Sequence, residues 1–155
     1  MKKIISTLAL ALITILAQAQ ILTPVKWKVK VNDNNGSPEK EIVFTATLDK
    51  GWHLYDMDLP EGGPVSTSFN FETLNGAELV GKATASTKPT TVFDEQFQMD
   101  LRWFAGAVSF TQKIKVNDLS KFKVDGYVEF MACNDETCLP PDNHNFTSDK
   151  PAITL

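Results

Sequence analysis

Apolar and polar residues alternate along much of this chain with a period of two. The clearest alternation consists of apolar residues separated by lysines: Val25, Trp27, Val29 and Val31. This period places successive side chains on opposite faces of a β-strand, so one face is buried and the other is solvated. Further strands are predicted at residues 42–48, 52–55, 67–71, 77–80, 101–104, 107–116, 127–132 and 145–147.

Turn signals separate these strands. Glycine occurs together with proline at residues 60–64, and it follows asparagine, alanine or aspartate at residues 75–76, 105–106 and 125–126. After residue 20, apolar spacing of three and four never persists over the roughly 11 residues that an amphipathic helix requires. Short, evenly punctuated strands are typical of an antiparallel β-sandwich, and we therefore predict an all-β fold.

The first residues resemble an export signal. Two lysines precede a mostly apolar run at residues 4–17, and Ala17 and Ala19 form a small-x-small cleavage site. The run is shorter than the roughly 20 residues that span a bilayer, so we predict a signal peptide at residues 1–19 rather than a membrane anchor. Cleavage near Ala19 would release a periplasmic domain of residues 20–155, without membrane insertion of the mature chain.

The net charge and the composition disfavour two classes of protein, nucleic-acid-binding proteins and disordered proteins. The net charge is −4, and loss of Lys2 and Lys3 with the signal peptide makes it −6, because residues 1–19 contain no acidic residue. An acidic domain is a poor partner for nucleic acid. The hydrophobic content of 43% is high enough for a packed core and disfavours disorder.

Candidate chemistry centres on the two cysteines of the chain, Cys133 and Cys138. Two antiparallel strands joined by four residues would bring the two Cα atoms within the roughly 4.4–6.8 Å that a disulfide requires. Closing so small a ring would stabilise the fold by only about 2.2 kcal/mol, against about 4.7 kcal/mol for a loop of 100 residues. The pair therefore favours thiol–disulfide chemistry over a structural staple, in an exported protein where either can occur.

Two other features bear on the cysteines. Cys133, Cys138 and His144, with His53 as a distant fourth ligand, are an alternative set for zinc, although zinc sites usually show a second paired cluster. We predict no metal and no cofactor. Acidic residues between the cysteines, Asp135 and Glu136, disfavour thiolate formation, so near-normal or raised thiol pKa values are expected.

Several segments resemble one known family. They are the cysteine loop at residues 128–141, the segment at residues 52–55 and the segment at residues 93–97. Together they are similar to the N-terminal periplasmic domain of the thiol:disulfide interchange protein DsbD. The resemblance spans roughly residues 24–155 and implies an immunoglobulin-like sandwich with its redox pair on a strand-loop-strand.

The resemblance also implies a function and partners. Such a domain receives electrons from a membrane-embedded electron-transfer protein through a thioredoxin-like reductant, and passes them to oxidised periplasmic acceptor proteins. Cys138 would form the mixed disulfides, and Cys133 would be the resolving thiol. Since no transmembrane electron-transfer segment follows in this chain, the reductant is expected to be a separate protein. The competing hypothesis is a non-catalytic immunoglobulin-like binding module with a structural disulfide.

The resemblance also implies which residues surround the disulfide. The resemblance implies a cap loop containing Asp94, Glu95 and Phe97, with an aromatic ring that covers the disulfide until a partner docks. It implies a floor formed by Tyr55 and by His53, which stands where the family often has another tyrosine. The chain departs from the family in two ways. The cysteine spacing is one residue shorter, and Gln98 replaces the usual glycine, so that either Gln96 or Phe97 is the apex of the cap.

Overall fold

The computed structural model describes residues 22–34 and 36–148, and the predicted signal peptide lies outside these ranges and stays a prediction. The described residues form eleven β-strands: β1 (Val25–Asp33), β2 (Glu39–Leu48), β3 (His53–Tyr55), β4 (Ser68–Asn75), β5 (Ala77–Ala85), β6 (Thr90–Asp94), β7 (Met99–Ala105), β8 (Ala107–Val116), β9 (Lys123–Phe130), β10 (Ala132–Cys133) and β11 (Asp142–Ser148). A short 3-10 turn at Leu119–Lys121 is the helical element of this part of the chain.

The strands form three antiparallel sheets. The first sheet has the order β1-β2-β8-β5, the second β10-β3-β7-β6, and the third β11-β9-β4. The prediction of an all-β, immunoglobulin-like antiparallel β-sandwich is confirmed. Period-two alternation explains the buried layer, since β2 and β8 each bury every second residue along most of their length.

Aromatic residues join the first and third sheets in the main core. The ring centroid of Phe44 on β2 lies 4.5 Å from that of Phe69 on β4 and 5.0 Å from that of Phe146 on β11. Phe44 is fully buried, and burial of such a side chain contributes roughly 1.5–3 kcal/mol. This core holds the sandwich together without the cysteines.

The second sheet has two different faces. Leu54, Phe104 and Ala132 lie opposite one another in register and are buried, with Leu54 and Phe104 in the main core. The neighbouring residues along the same strands point the other way because the side-chain period is two. That second face carries Tyr55 and Cys133, which belong to a separate small cluster of buried residues.

Two details differ from the sequence predictions. Strand β6 was not predicted, because only Val92 and Asp94 of its five residues are partly buried and the rest are exposed. Residues 127–132 were predicted as one strand, but the structure divides them at Met131. Up to Phe130 the chain pairs with β4 and β11, and from Ala132 it pairs with β3, so it changes sheets just before Cys133.

Candidate functional site at the Cys133–Cys138 disulfide

A tight hairpin holds the two cysteines. Cys133 and Cys138 face each other as an antiparallel pair flanked by two backbone hydrogen bonds, from Leu139 N to Ala132 O at 3.0 Å and from Asn134 N to Thr137 O at 2.9 Å. The Asn134 carboxamide oxygen also accepts from the backbone N–H groups of Glu136 and Thr137, at 2.9 and 2.7 Å. An asparagine side chain that bonds to the backbone two residues on is a common way to close a turn.

The hairpin brings the cysteines into a disulfide, with Cα atoms 4.0 Å apart. This separation is below the predicted 4.4–6.8 Å. The two residues occupy a non-hydrogen-bonded antiparallel position, the type of position in which Cα atoms approach most closely. The two sulfur environments differ. Cys133 is 1% exposed, whereas Cys138 is only partly buried and is the sulfur nearer to solvent.

Tyr55 connects the disulfide to the cap loop, which we define as residues 94–98. Its side chain is fully buried, and its hydroxyl lies 3.1 Å from Asp94 Oδ2 and 3.3 Å from Cys133 Sγ. Burial, with a further contribution from the Asp94 carboxylate, raises the pKa of Tyr55 far above its ordinary value. The phenol therefore keeps its proton at physiological pH and donates it as a hydrogen bond.

Asp94 organises the cap loop through its second carboxylate oxygen. Asp94 Oδ1 accepts from the backbone N–H groups of Gln96 and Phe97, at 2.8 and 3.1 Å. The loop closes with a hydrogen bond from Gln98 N to Asp94 O at 2.8 Å, and Gln98 adopts a left-handed φ of 58°. That conformation favours glycine, which accounts for the glycine that the family resemblance leads us to expect at this position.

Both candidates for the cap apex lie beside the disulfide. Phe97 is partly buried and packs against the cluster of Tyr55, Leu101 and Cys133, with its ring centroid 6.2 Å from that of Tyr55. Gln96 is exposed, and its side-chain oxygen lies 3.3 Å from Cys138 Sγ. The structure therefore places the aromatic ring in the buried cluster that includes Cys133, and the amide next to Cys138.

His53 lies directly opposite Cys133 in the pairing of β3 with β10. The residue is 7% exposed, its ring stacks on Trp103 at 3.7 Å, and its buried Nε2 atom forms no hydrogen bond with any residue that the structure describes. Burial lowers the pKa of His53, although Asp94 and Asp135 act in the opposite direction. The imidazole is therefore kept neutral by desolvation.

Two residues of the site were not identified from the sequence. Trp103 on β7 pairs with Tyr55 and contacts both His53 and the cluster around the disulfide. The sequence did contain a signal for Trp103. It lies two residues after Leu101 in a predicted strand, so both side chains are expected on the same face. Asn134 closes the hairpin turn, and its position after Cys133 gave the signal for a side chain that caps a turn.

The zinc alternative finds no support in the geometry. Cys133 and Cys138 are bonded to each other, and His144 on β11 stacks on Trp27 at 6.4 Å. Within residues 22–34 and 36–148, no three histidine, cysteine or acidic side chains are grouped so that they could hold a metal ion.

The fold and the site define a β-sandwich domain with a disulfide in a hairpin at the edge of its second sheet. The family profile described as "Thiol:disulfide interchange protein DsbD, N-terminal" matches residues 18–150. The chain belongs to this family and is a thiol–disulfide exchange domain.

Two solved structures share the fold. The DsbD N-terminal domain of Neisseria meningitidis, determined in the reduced form, superposes with a TM-score of 0.53 and 12% identity, covering 83% of this chain and 89% of that chain. The N-terminal periplasmic domain of ScsB from Proteus mirabilis superposes with a TM-score of 0.56 and 17% identity, covering 84% of this chain and 48% of that chain.

A further match is confined to a short segment. The mitochondrial serine hydroxymethyltransferase of Saccharomyces cerevisiae is 31% identical over 61 residues, which are 39% of this chain and only 12% of the enzyme. So short a segment does not indicate membership of that enzyme family. The part of the chain that the structure describes contains no helix with the length and hydrophobicity to cross a membrane.

Proposed function

We propose that this chain is a periplasmic electron carrier that exchanges thiols and disulfides through Cys133 and Cys138. It would take two electrons from a thioredoxin-like reductant, or from a membrane electron-transfer protein, and deliver them to oxidised periplasmic proteins. The observation that supports this proposal is the asymmetry of the disulfide, in which a buried sulfur is bonded to an accessible one. A thiolate must reach the sulfur it attacks, and Cys138 is the less buried of the two cysteines.

Reduction would proceed in two exchange steps. A donor thiolate attacks Cys138 Sγ, the disulfide breaks, and Cys133 Sγ leaves as a thiolate that accepts a hydrogen bond from the Tyr55 hydroxyl 3.3 Å away. A second donor thiolate then attacks the donor sulfur of the mixed disulfide, so that Cys138 is released and the donor is left oxidised. Two electrons and two protons have then moved to this chain, and the reverse sequence passes them to an acceptor.

The residues around the disulfide would control access. Phe97, whose backbone N–H bonds to Asp94, packs against the cluster that contains the cysteines and would move aside when a partner docks. A sulfur–aromatic contact is worth about 0.3–1.5 kcal/mol, so opening is accessible to thermal motion or to a small part of the binding energy. Glu95 belongs to the same loop, and His53 and Tyr55 form the floor beneath it.

The division of roles can be tested with single-cysteine variants. Cys133→Ala retains Cys138, and Cys138→Ala retains Cys133. Each variant is mixed with a thioredoxin whose remaining active-site cysteine is activated as the mixed disulfide with thionitrobenzoate, and release of the coloured thiol is followed. We expect the Cys133→Ala variant to react about 100-fold faster, because Cys138 is accessible and Cys133 is buried. Equal rates, or faster reaction of the Cys138→Ala variant, would overturn the assignment.

A further inference from the structure

A cavity of about 260 Å³ opens beside the disulfide, between the cap loop and the cysteine hairpin. The residues that line it come from four segments of the chain: His53, Phe93, Asp94, Glu95, Gln96, Trp103, Asn134 and Asp135. Gln96 connects the cavity to the chemistry, because its side-chain oxygen lies 3.3 Å from Cys138 Sγ. A side chain that binds in the cavity would therefore lie close to a thiol that attacks Cys138 Sγ.

The charged side chains that line the cavity are all negative, and we call it the acidic cavity. Asp94, Glu95 and Asp135 contribute three carboxylates to the lining, which includes no lysine or arginine. Glu95 and Asp135 are exposed, and none of the three forms an ion pair with another described residue. Glu136, the next residue of the hairpin, adds a fourth negative charge nearby.

An unpartnered nitrogen is the second, independent observation. His53 is more than nine-tenths buried and lines the cavity, and none of the described residues forms a hydrogen bond with its Nε2 atom. A buried polar atom normally has a partner, so this nitrogen can still accept or donate one hydrogen bond. The walls are aromatic, with Trp103 stacked on His53 and Phe93 57% exposed. Carboxylates, a neutral imidazole and aromatic faces together suit a cation.

We propose that the acidic cavity receives a lysine or arginine side chain of the protein whose thiol attacks Cys138. The inference rests on the proposed function and adds the chemistry of the partner. A cation in the cavity would meet the carboxylates of Glu95 and Asp135 and bring its own thiol toward Cys138. The same charges would repel anionic thiols, so the site discriminates among thiols of equal reactivity.

Capped peptides test this discrimination directly. Three peptides carry one cysteine flanked by lysines, by glutamines or by glutamates, and each reduces the wild-type disulfide under pseudo-first-order conditions. The rate of each peptide is divided by its thiolate concentration. It is then divided by the rate at which the same peptide reduces a small neutral disulfide, which removes differences in intrinsic reactivity. In water one carboxylate about 7 Å from a unit charge changes a rate by about threefold. We expect the lysine peptide to react about tenfold faster than the glutamate peptide, with the glutamine peptide between them.

Variants identify the cavity as the source of the effect. Glu95→Gln with Asp135→Asn should reduce the tenfold preference to about twofold, and His53→Phe should slow the lysine peptide more than the glutamine peptide. Glu72→Gln is the matched control, because it removes one negative charge at an exposed position of β4 outside the cavity. It should leave the preference unchanged. About 1 M salt, where the Debye length is about 3 Å, should abolish most of the preference in the wild type.

The outcomes separate this inference from the proposed function. Equal normalised rates for the three peptides, or a loss of preference as large with Glu72→Gln as with the cavity variants, would overturn the cationic partner while exchange at Cys138 stands. A disulfide that none of the peptides reduces would instead contradict the exchange function itself.

Discussion

At the scale of single residues, the site depends on one phenol proton shared between two acceptors. The Tyr55 hydroxyl lies 3.1 Å from Asp94 Oδ2 and 3.3 Å from Cys133 Sγ, and it has one hydrogen to donate. With the disulfide intact, the carboxylate is the stronger acceptor. Once Cys133 is a thiolate, the two acceptors compete. Reduction would therefore weaken the anchor of the cap loop.

His53 makes stability depend on pH. Its folded pKa lies below the unfolded value of 6.5, chiefly because of burial, so the unfolded chain binds a proton more readily. The contribution of His53 to stability is therefore complete above about pH 6.5 and falls as the pH drops toward the folded pKa. We expect the free energy of unfolding, measured with urea between about pH 7.5 and pH 5, to decrease less in His53→Tyr than in the wild type.

Both proteins are measured in parallel, so that the other titrating groups contribute equally to the two pH curves. The account of His53 is contradicted if His53→Tyr and the wild type lose equal stability on acidification.

The reactive residues were predicted from the sequence more completely than the residues that hold them in place. The cysteine pair was predicted from the chemistry of thiols, and Tyr55 and His53 were predicted from the family resemblance. Trp103 was not, since a tryptophan in an alternating strand is usually an ordinary core residue. Its place opposite Tyr55 follows from the register of β3 with β7, and register is set by long-range pairing that the local pattern does not contain.

At the scale of elements, the site is assembled from two turns, each held by one side chain. Asp94 accepts two backbone N–H groups of the cap loop, and Asn134 accepts two of the cysteine hairpin. Both turns are short, so their geometry is set locally. The second sheet then brings them together, because β6 and β10 lie at its two edges on either side of β3 and β7.

Asn134→Ala should loosen the cysteine hairpin. The substitution removes the acceptor for the N–H groups of Glu136 and Thr137, which are near solvent, so we expect a loss of about 1 kcal/mol in the free energy of unfolding. Asn134→Asp retains an oxygen at that position and should lose less. Chemical denaturation with the disulfide oxidised measures both variants. If alanine and aspartate are equally destabilising, the side-chain oxygen does not hold the turn.

Phe97→Ala should expose the disulfide. The proposed cover of the sulfurs by this ring corresponds to a sulfur–aromatic contact worth about 0.3–1.5 kcal/mol, so its loss predicts reduction by uncharged dithiothreitol that is about twofold to tenfold faster. Leu119→Ala is the control, because Leu119 is 64% exposed and lies outside both the acidic cavity and the cluster around the sulfurs. It should react at the wild-type rate. Unchanged kinetics in Phe97→Ala would show that the ring does not limit access.

Strand prediction was most complete where one face of the strand is buried. The alternation in β2 and β8 is regular because both strands are internal to the first sheet. Strand β6 is an edge strand with little burial, so its sequence carries almost no period. The change of sheet at Met131 is also invisible locally, because β10 continues the alternation of β9 while pairing with a different neighbour.

At the scale of the whole molecule, the disulfide lies beside the main core rather than within it. The core is built from the first and third sheets with one face of the second, whereas the sulfurs belong to the small cluster on the opposite face. Neither oxidation nor reduction needs to disturb the sandwich.

The fold should therefore survive without the bond. The double variant Cys133→Ala and Cys138→Ala should unfold in a single cooperative transition, with a free energy of unfolding about 2 kcal/mol below that of the oxidised wild type. Circular dichroism during urea titration measures this difference. A double variant that is unfolded without denaturant would mean that the disulfide is a structural staple.

The central claim is that the bond between Cys133 and Cys138 is a reversible carrier of electrons. Its reduction potential, measured by equilibration with glutathione or dithiothreitol buffers, tests that claim most directly. We predict a value near −200 to −270 mV, in the range of proteins that cycle between the two states. A value below about −300 mV would mark a permanently oxidised structural bond and would contradict the account.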